Sequence, residues 1–428
     1  MADQKRYQAS AVNPLTYGMF LSAALALAAC AAPATFSPTA VDSVRYAAGY
    51  SVLYRFTGGD AGAHPSALVY ENDSGALYGS ALGATAGVVF RVTPSGDERV
   101  LYRFGGGADG DAPSGELAIA GGILYGSTVF GGSPGCFENL GCGTIYSLDV
   151  RTGKHTILYR FPGGRGGAHP SGVTLFHGAL YGTTQWGGRR PLCVVQCGTV
   201  FRVSTSGQGG LLYAFKGNKD LWQPLASLLA VDGVLYGTAS RGGCAKHRCG
   251  GGVFSVTTAG TERVIYAFAD KIVTADGLYP DSTLAADHGE LFGTTPFGGS
   301  IASLPCGCGT VFRMDQSGKE RVIHRFAGND GQFPTSVLTR LNGAFYGVTP
   351  QGGGTSCLQG KGCGTVFSTS PEGTESVAYR FRGHRDGWHP SARLVAIGTR
   401  LFGTTSNGGG NGCEAHNGCG TIFALKAL

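Results

Sequence analysis

The chain has 428 residues, of which 75 are Gly, 14% are charged and 42% are hydrophobic. It is too apolar for a disordered chain and too rich in Gly for a helical one, so an all-β protein is expected. The net charge of +6 is small for this length, and the Lys and Arg are scattered, which excludes the concentrated basic face that nucleic-acid binding requires.

Residues 1–18 are polar and carry Lys5 and Arg6, and residues 19–29 form an apolar run that ends at Cys30. The run is too short to cross a bilayer as a helix but has the length of a signal-peptide core. Leu27-Ala28-Ala29-Cys30 resembles the lipobox of bacterial lipoproteins, which implies removal of residues 1–29 and lipidation of Cys30. The alternative is an ordinary secretory signal in which Cys30 is incidental. Two or more acyl chains anchor a protein stably where one binds only marginally. Ala31 resembles the signal that sorts lipoproteins to a Gram-negative outer membrane. The expected location is therefore the cell envelope, with the membrane as partner through the lipid; a secreted or periplasmic protein is the alternative. Residues 30–49 are small and Pro-containing, as suits a tether.

From Tyr50 to the C-terminus one unit recurs. Leu77-Tyr78-Gly79-Ser80 returns as Leu124-Tyr125-Gly126-Ser127, Leu180-Tyr181-Gly182-Thr183, Leu235-Tyr236-Gly237-Thr238, Leu291-Phe292-Gly293-Thr294, Phe345-Tyr346-Gly347-Val348 and Leu401-Phe402-Gly403-Thr404. A period of roughly 50 residues lies in the propeller and solenoid range. Each unit holds four short segments rich in β-branched and aromatic residues and punctuated by Gly, Pro, Asn and Asp. One is typified by Ile157-Leu158-Tyr159-Arg160-Phe161; the next follows a recurring Pro (Pro65, Pro113, Pro170, Pro224, Pro280, Pro334, Pro390). The third is the Leu-Tyr-Gly-Thr element, and the fourth is typified by Gly198-Thr199-Val200-Phe201. Four strands per unit make one propeller blade. The Gly after Tyr is expected to admit the next blade, and the Arg of Tyr-Arg-Phe to protect an outer edge.

The phase of the repeat predicts closure. The first segment, Val52-Leu53-Tyr54-Arg55-Phe56, is of the outer type, whereas the chain ends on Thr421-Ile422-Phe423-Ala424-Leu425, the type that precedes an outer strand. Pairing the two completes a seven-bladed β-propeller of four-stranded antiparallel blades over residues 50–428. An open solenoid would have no use for the offset.

Apart from Cys30, twelve cysteines form one close pair in each of repeats two to seven: Cys136 and Cys142, Cys193 and Cys197, Cys244 and Cys249, Cys306 and Cys308, Cys357 and Cys363, Cys413 and Cys419. Behind an export signal they read as six local disulfides. Such small loops contribute about 2 kcal/mol each on the chain-entropy estimate. Cys306 and Cys308, one residue apart, fit bridge geometry least well. Zinc wants four ligands at one point, and these pairs belong to different blades, so no metal is expected at them.

The ordered series of Leu-Tyr-x-Phe, a Gly and Asp loop, Pro, Leu-Tyr-Gly-Thr-Thr, Gly-Gly and Gly-Thr-Val-Phe is similar to the GloVer (Gloeobacter and Verrucomicrobia type) tandem repeat of bacterial exported proteins. The resemblance covers residues 50–428, implies varied surface anchors, which suits Cys30, and brings no activity or catalytic residues with it. The paired cysteines are outside it.

Function must then come from geometry. Loops between blades and loops between second and third strands open on one face of a propeller. That face gathers His64, His169, Gln223, Tyr279, Phe333 and His389, each just before a recurring Pro, with Trp222 and Trp388 one position earlier. Aromatic rings beside polar groups suit a glycan or a protein ligand. The plainer reading is that Pro starts the strand and its neighbour covers the strand end. No Gly-x-Ser-x-Gly, His-Glu-x-x-His or phosphate-loop motif occurs. The expectation is a monomeric, surface-anchored binding or scaffolding module without cofactor; the alternative is a polysaccharide-active hydrolase or lyase on the same face.

Overall fold

In the computed structural model the repeat becomes a sheet, seven times over. The structure describes residues 49–428 except 84–85, 137–138, 189–196, 218–219, 244–249, 269–274, 301–305, 356, 411–412 and 414–416. Cys30 and the expected leader lie outside the described residues, as do Cys193, Cys244 and Cys249.

Blade 1 consists of Ala63–Glu71, Ala76–Leu82, Val88–Val92 and Glu98–Arg103, paired antiparallel in that order. The segment after the recurring Pro is innermost, the Leu-Tyr-Gly-Thr strand second, the Thr-Val-Phe strand third and the Tyr-Arg-Phe strand outermost. Innermost strands face the axis, and Glu116 of blade 2 reaches Arg393 of blade 7 past blade 1, at 3.7 Å. In blades 3 and 7 the innermost strand breaks after the proline, into Ala168–Pro170 and Thr174–Phe176, and into Trp388–Pro390 and Val395–Ile397. In blades 1 and 2 the strand runs on through Pro65 and Pro113 with register shifts beside or just after the proline, which has no N–H to give to the ladder.

The ring closes as the phase of the repeat predicts. Tyr50–Arg55 pairs antiparallel with Thr421–Lys426, with Tyr50 opposite Leu425 and Arg55 opposite Thr421. Tyr50 also stacks on Tyr379 of blade 6, centroids 3.9 Å apart, and its hydroxyl donates to Asp386 O at 2.6 Å.

Three contacts recur at the blade junctions. The first is aromatic: the last Phe of each outermost strand meets the aromatic residue of the next blade's third strand edge to face. The seven pairs are Phe56–Phe90, Phe104–Tyr146, Phe161–Phe201, Phe215–Phe254, Phe268–Phe312, Phe326–Phe367 and Phe381–Phe423, at centroid distances of 5.0 to 5.3 Å. All are buried, and each pair adds about 0.5–1.5 kcal/mol beyond the area it removes from water. The second is a backbone hydrogen bond from the residue before the Pro to the preceding blade. Examples are His64 N to Cys419 O at 2.7 Å, Gln223 N to Cys197 O at 2.8 Å and His389 N to Cys363 O at 3.0 Å. The third seats Pro on Gly: a Cβ on Gly87, Gly143, Gly198, Gly309, Gly364 or Gly420 would lie 2.4 to 2.7 Å from Cδ of the next blade's proline. That requirement is why Gly begins every Gly-Thr-Val-Phe strand named here.

Two expectations need revision. The Gly after Tyr admits its own blade and not the next: a Cβ on Gly237 would lie 2.5 Å from Phe254 Cζ and 2.7 Å from Leu228 Cδ2, both in blade 4. The outer Arg does more than guard an edge. Arg103, Arg160, Arg325 and Arg380 donate to Asp60 O, Ala108 O, Ala275 O and Asn329 O, so each ties its strand to the loop leading into its blade.

Disulfides join Cys136 to Cys142, Cys306 to Cys308, Cys357 to Cys363 and Cys413 to Cys419, each within one loop; Cys197 is disulfide-bonded too. They do more than staple loops, because the second cysteine's carbonyl is the acceptor of the junction bond in five blades. Threonine pairs support the same loops from below, as in Thr184 to Thr199 at 2.7 Å and Thr405 to Thr421 at 2.8 Å, all buried.

Replacing Phe367 by Ala should lower the unfolding free energy by about 3–5 kcal/mol in urea denaturation, as for other buried Phe; a loss below about 1 kcal/mol would contradict a junction role. Non-reducing peptide mapping should recover bridges only within single loops, including Cys193 with Cys197 and Cys244 with Cys249. A bridge between blades would overturn the local pairing.

Candidate functional site

The residue before each recurring Pro has a left-handed backbone. The φ angles are 50° at His64, 55° at Ala112, 58° at His169, 59° at Gln223 and Tyr279, 58° at Phe333 and 59° at His389. Such a conformation costs roughly 1–2 kcal/mol for a non-Gly residue, and the junction hydrogen bond holds it in place. Because Ala112 does the same as the others, the backbone serves the ring and the side chain is left free to vary.

Those side chains meet residues just past the Leu-Tyr-Gly-Thr strands. His169 is buried, stacks on Trp186 at 4.5 Å and meets the edge of Phe130 at 4.9 Å. Burial pushes its imidazole down to about 4, so it is neutral at pH 7. The Arg241 guanidinium lies 4.5 Å over the Tyr279 ring; Tyr279 meets Phe297 at 6.0 Å, and Phe297 meets Phe333 at 5.2 Å. His64 Nδ1 is 2.6 Å from Ser406 O. His389 is pushed down to about 4 by burial.

The result is an arc in two groups at one axial end of the ring, Phe130, His169 and Trp186 over blades 2 and 3 and Arg241, Tyr279, Phe297 and Phe333 over blades 4 to 6. Phe130, Trp186, Arg241 and Phe297 were missed in the sequence, where the second position after the Thr-Thr pair varies in type and carries no motif. Trp222 and Trp388 are half-buried and pack partly against core clusters, whereas Phe297 and Phe333 belong to none.

The position after the recurring Pro breaks the symmetry. The residue after the Pro is Ser66, Ser114, Ser171, Leu225, Thr335 or Ser391 in six blades and Asp281 in blade 5. Ser391 finds the Ser406 hydroxyl at 2.9 Å, but blade 5 has Pro296 at that place, and Asp281 Oδ1 is buried without a hydrogen-bond partner. Burial pushes this carboxyl up to about 8, so it holds a proton at neutral pH.

The loop aspartates are braces. Asp109, Asp220, Asp276 and Asp386 accept from the hydroxyls of Tyr102, Tyr213, Tyr266 and Tyr379 at 2.6 to 3.0 Å. Asp330 faces His324 at the same place. Asp60 instead lends its carbonyl to Arg103. Away from the arc, a cleft of about 570 Å³ lies between blades 1 and 2, lined by Arg91, Arg99 and Arg151 together with Glu71 and Asp73.

No curated protein matches the chain. Among solved structures it is similar to the AfRom2 CNH domain (10% identity, TM-score 0.49), over 89% of this chain and 99% of that one. It is also similar to the PQQ-bound aldose sugar dehydrogenase of Streptomyces coelicolor (15% identity, TM-score 0.41, 88% and 97% covered). A third similar structure is a nidogen/laminin complex (14%, 0.42, 71% and 94%). At these values no activity carries over. The family model described as Gloeobacter/Verrucomicrobia repeat matches residues 39–190, 137–361 and 303–428. These segments overlap, take in every blade, and establish that the chain belongs to the Gloeobacter/Verrucomicrobia repeat family.

Proposed function

We propose that this protein is a binding or scaffolding module of the cell envelope, attached through a lipidated Cys30, that holds a glycan or protein ligand on the aromatic arc. The supporting observation is the run of half-buried rings, Tyr279, Phe297 and Phe333, with Arg241 stacked at one end. Flat rings offer stacking area at low entropic cost, and the guanidinium offers donors for the polar edge of a sugar or a carboxylate. Among the described residues no helix is long and apolar enough to cross a membrane.

A second reading, a polysaccharide-active hydrolase or lyase, is favoured by Asp281. A carboxyl that keeps its proton at neutral pH is the form a general acid needs, and only blade 5 carries one after its Pro.

A glycan array probed with the protein should identify a ligand class, and Phe297→Ala with Phe333→Ala should weaken its retention at least about tenfold, as for central aromatic contacts. Their melting temperatures should stay within about 4 °C of wild type, the shift of roughly 1 kcal/mol or less. Trp222→Ala and Trp388→Ala should weaken retention as well. Unchanged retention with lowered stability would return the arc to ring packing. For the second reading, reducing-end release from a polysaccharide panel should fall about 100-fold in Asp281→Asn; no release by the wild-type protein would remove that reading.

A further inference from the structure

At the outer rim a cradle recurs between blades. The outermost-strand Tyr donates to the loop Asp, and the first residue of the next outermost strand comes up beside them. Tyr213, Asp220 and Glu262 form one copy, and Tyr266, Asp276 and Glu320 another. In both, burial pushes the Glu carboxyl up to about 7.

Between blades 5 and 6 the tyrosine is replaced by His324. Its Nε2 lies 3.1 Å from Asp330 Oδ2, while Asp330 Oδ1 is held by the Ala327 N–H at 2.8 Å. Glu375, the first residue of the next outermost strand, completes the set, and one ligand atom from each residue lies within 4.8 Å of the others. Among the described residues no other set of three such groups converges this way. The His324 ring rests edge-on against buried Phe326, centroids 4.8 Å apart, and the His324 and Asp330 side chains are only 16% and 15% exposed. Glu375 Oε1 is buried without a hydrogen-bond partner, as are the same oxygens of Glu262 and Glu320. A carboxylate oxygen of the cradle thus lacks a hydrogen-bond partner in each copy, but only here does an imidazole nitrogen stand where the phenol would be.

We propose that His324, Asp330 and Glu375 hold a divalent transition-metal cation of the zinc class, which pins the outermost strand of blade 5 to that of blade 6. One imidazole and two carboxylates are a donor set for such a cation, with a water as the fourth ligand of a tetrahedral ion. Calcium, which takes six to eight oxygens, is disfavoured by the imidazole and the small number of oxygens. Ligands at about 2.1 Å around a tetrahedral ion stand roughly 3.4 Å apart. The widest separation would therefore close by at most about 1.4 Å. The two carboxylates repel one another, and the ion would offset that repulsion. The cysteine loops are not involved.

The repeat supplies its own control. His324→Tyr restores the residue of the neighbouring cradles and should fold with a metal-free melting temperature within a few degrees of wild type. The full-length protein is stripped with chelator, returned to metal-free buffer and titrated with ZnCl2 by calorimetry, beside His324→Tyr and Glu375→Gln. Wild type should bind one equivalent more than either variant, with affinity for that equivalent reduced at least about 100-fold in both. Zn²⁺ should raise the melting temperature of wild type alone, by about 3 °C or more at saturation, and excess Ca²⁺ should not displace it. Equal stoichiometry and equal thermal shifts in the three proteins would overturn the proposal and leave His324 and Asp330 as an ion pair. Binding lost in Glu375→Gln but kept in His324→Tyr would also overturn it, since the imidazole would then be no ligand.

Discussion

The edge-to-face contact between a Phe that ends one outermost strand and the aromatic residue of the next blade's third strand is the interaction on which the rest depends. It is buried, repeats seven times and includes the closing junction, Phe56 with Phe90. A four-stranded blade has apolar residues on both faces and cannot bury them alone, so its stability comes from its neighbours. The ring differs from an open stack in that no blade lacks one. The Gly that receives the next proline, and the N–H before that proline, fix the distance and rotation at which the aromatic pair can meet.

That division of labour decides where function can reside. Positions that set the junction are held to Gly, Pro, Phe and a backbone donor, whereas the side chain before the Pro and the residue beyond the Thr-Thr pair are free to change. They range from Ala112 to Phe333 and from Phe130 to Arg241. The variable side chains come together at one axial end, so diversity accumulates there without disturbing the ring. The outer rim is under a different constraint. Its Tyr and Asp brace the loop between blades, and a single replacement such as His324 changes the chemistry of a cradle while leaving the brace intact.

Ring closure was legible in the sequence because it follows from phase: a Tyr-Arg-Phe segment opened the repeats and none closed them. Disulfide pairing was legible from proximity at the four bridges described. The direction in which the Leu-Tyr-Gly glycine faces was not, since two close approaches, one within the blade and one between blades, call equally for Gly. Trp186, Arg241 and Phe297 escaped notice because they share a place in the fold but no residue type. Asp281 and His324 were each visible as one odd letter in a column, yet their meaning lay in partners brought from elsewhere: Pro296 across the blade for one, Glu375 of the next blade for the other. Periodicity identifies what repeats; the departures acquire chemistry only once the sheet register is known.

Hydrogen exchange read by mass spectrometry tests the closed, mutually buried ring most directly. Peptides covering 50–56 should be protected to the same degree as those covering 421–426, because the two strands share one ladder and open only together. Exchange of 50–56 within seconds, while the third strands of the other blades stay protected, would contradict closure and leave blade 7 with an open edge.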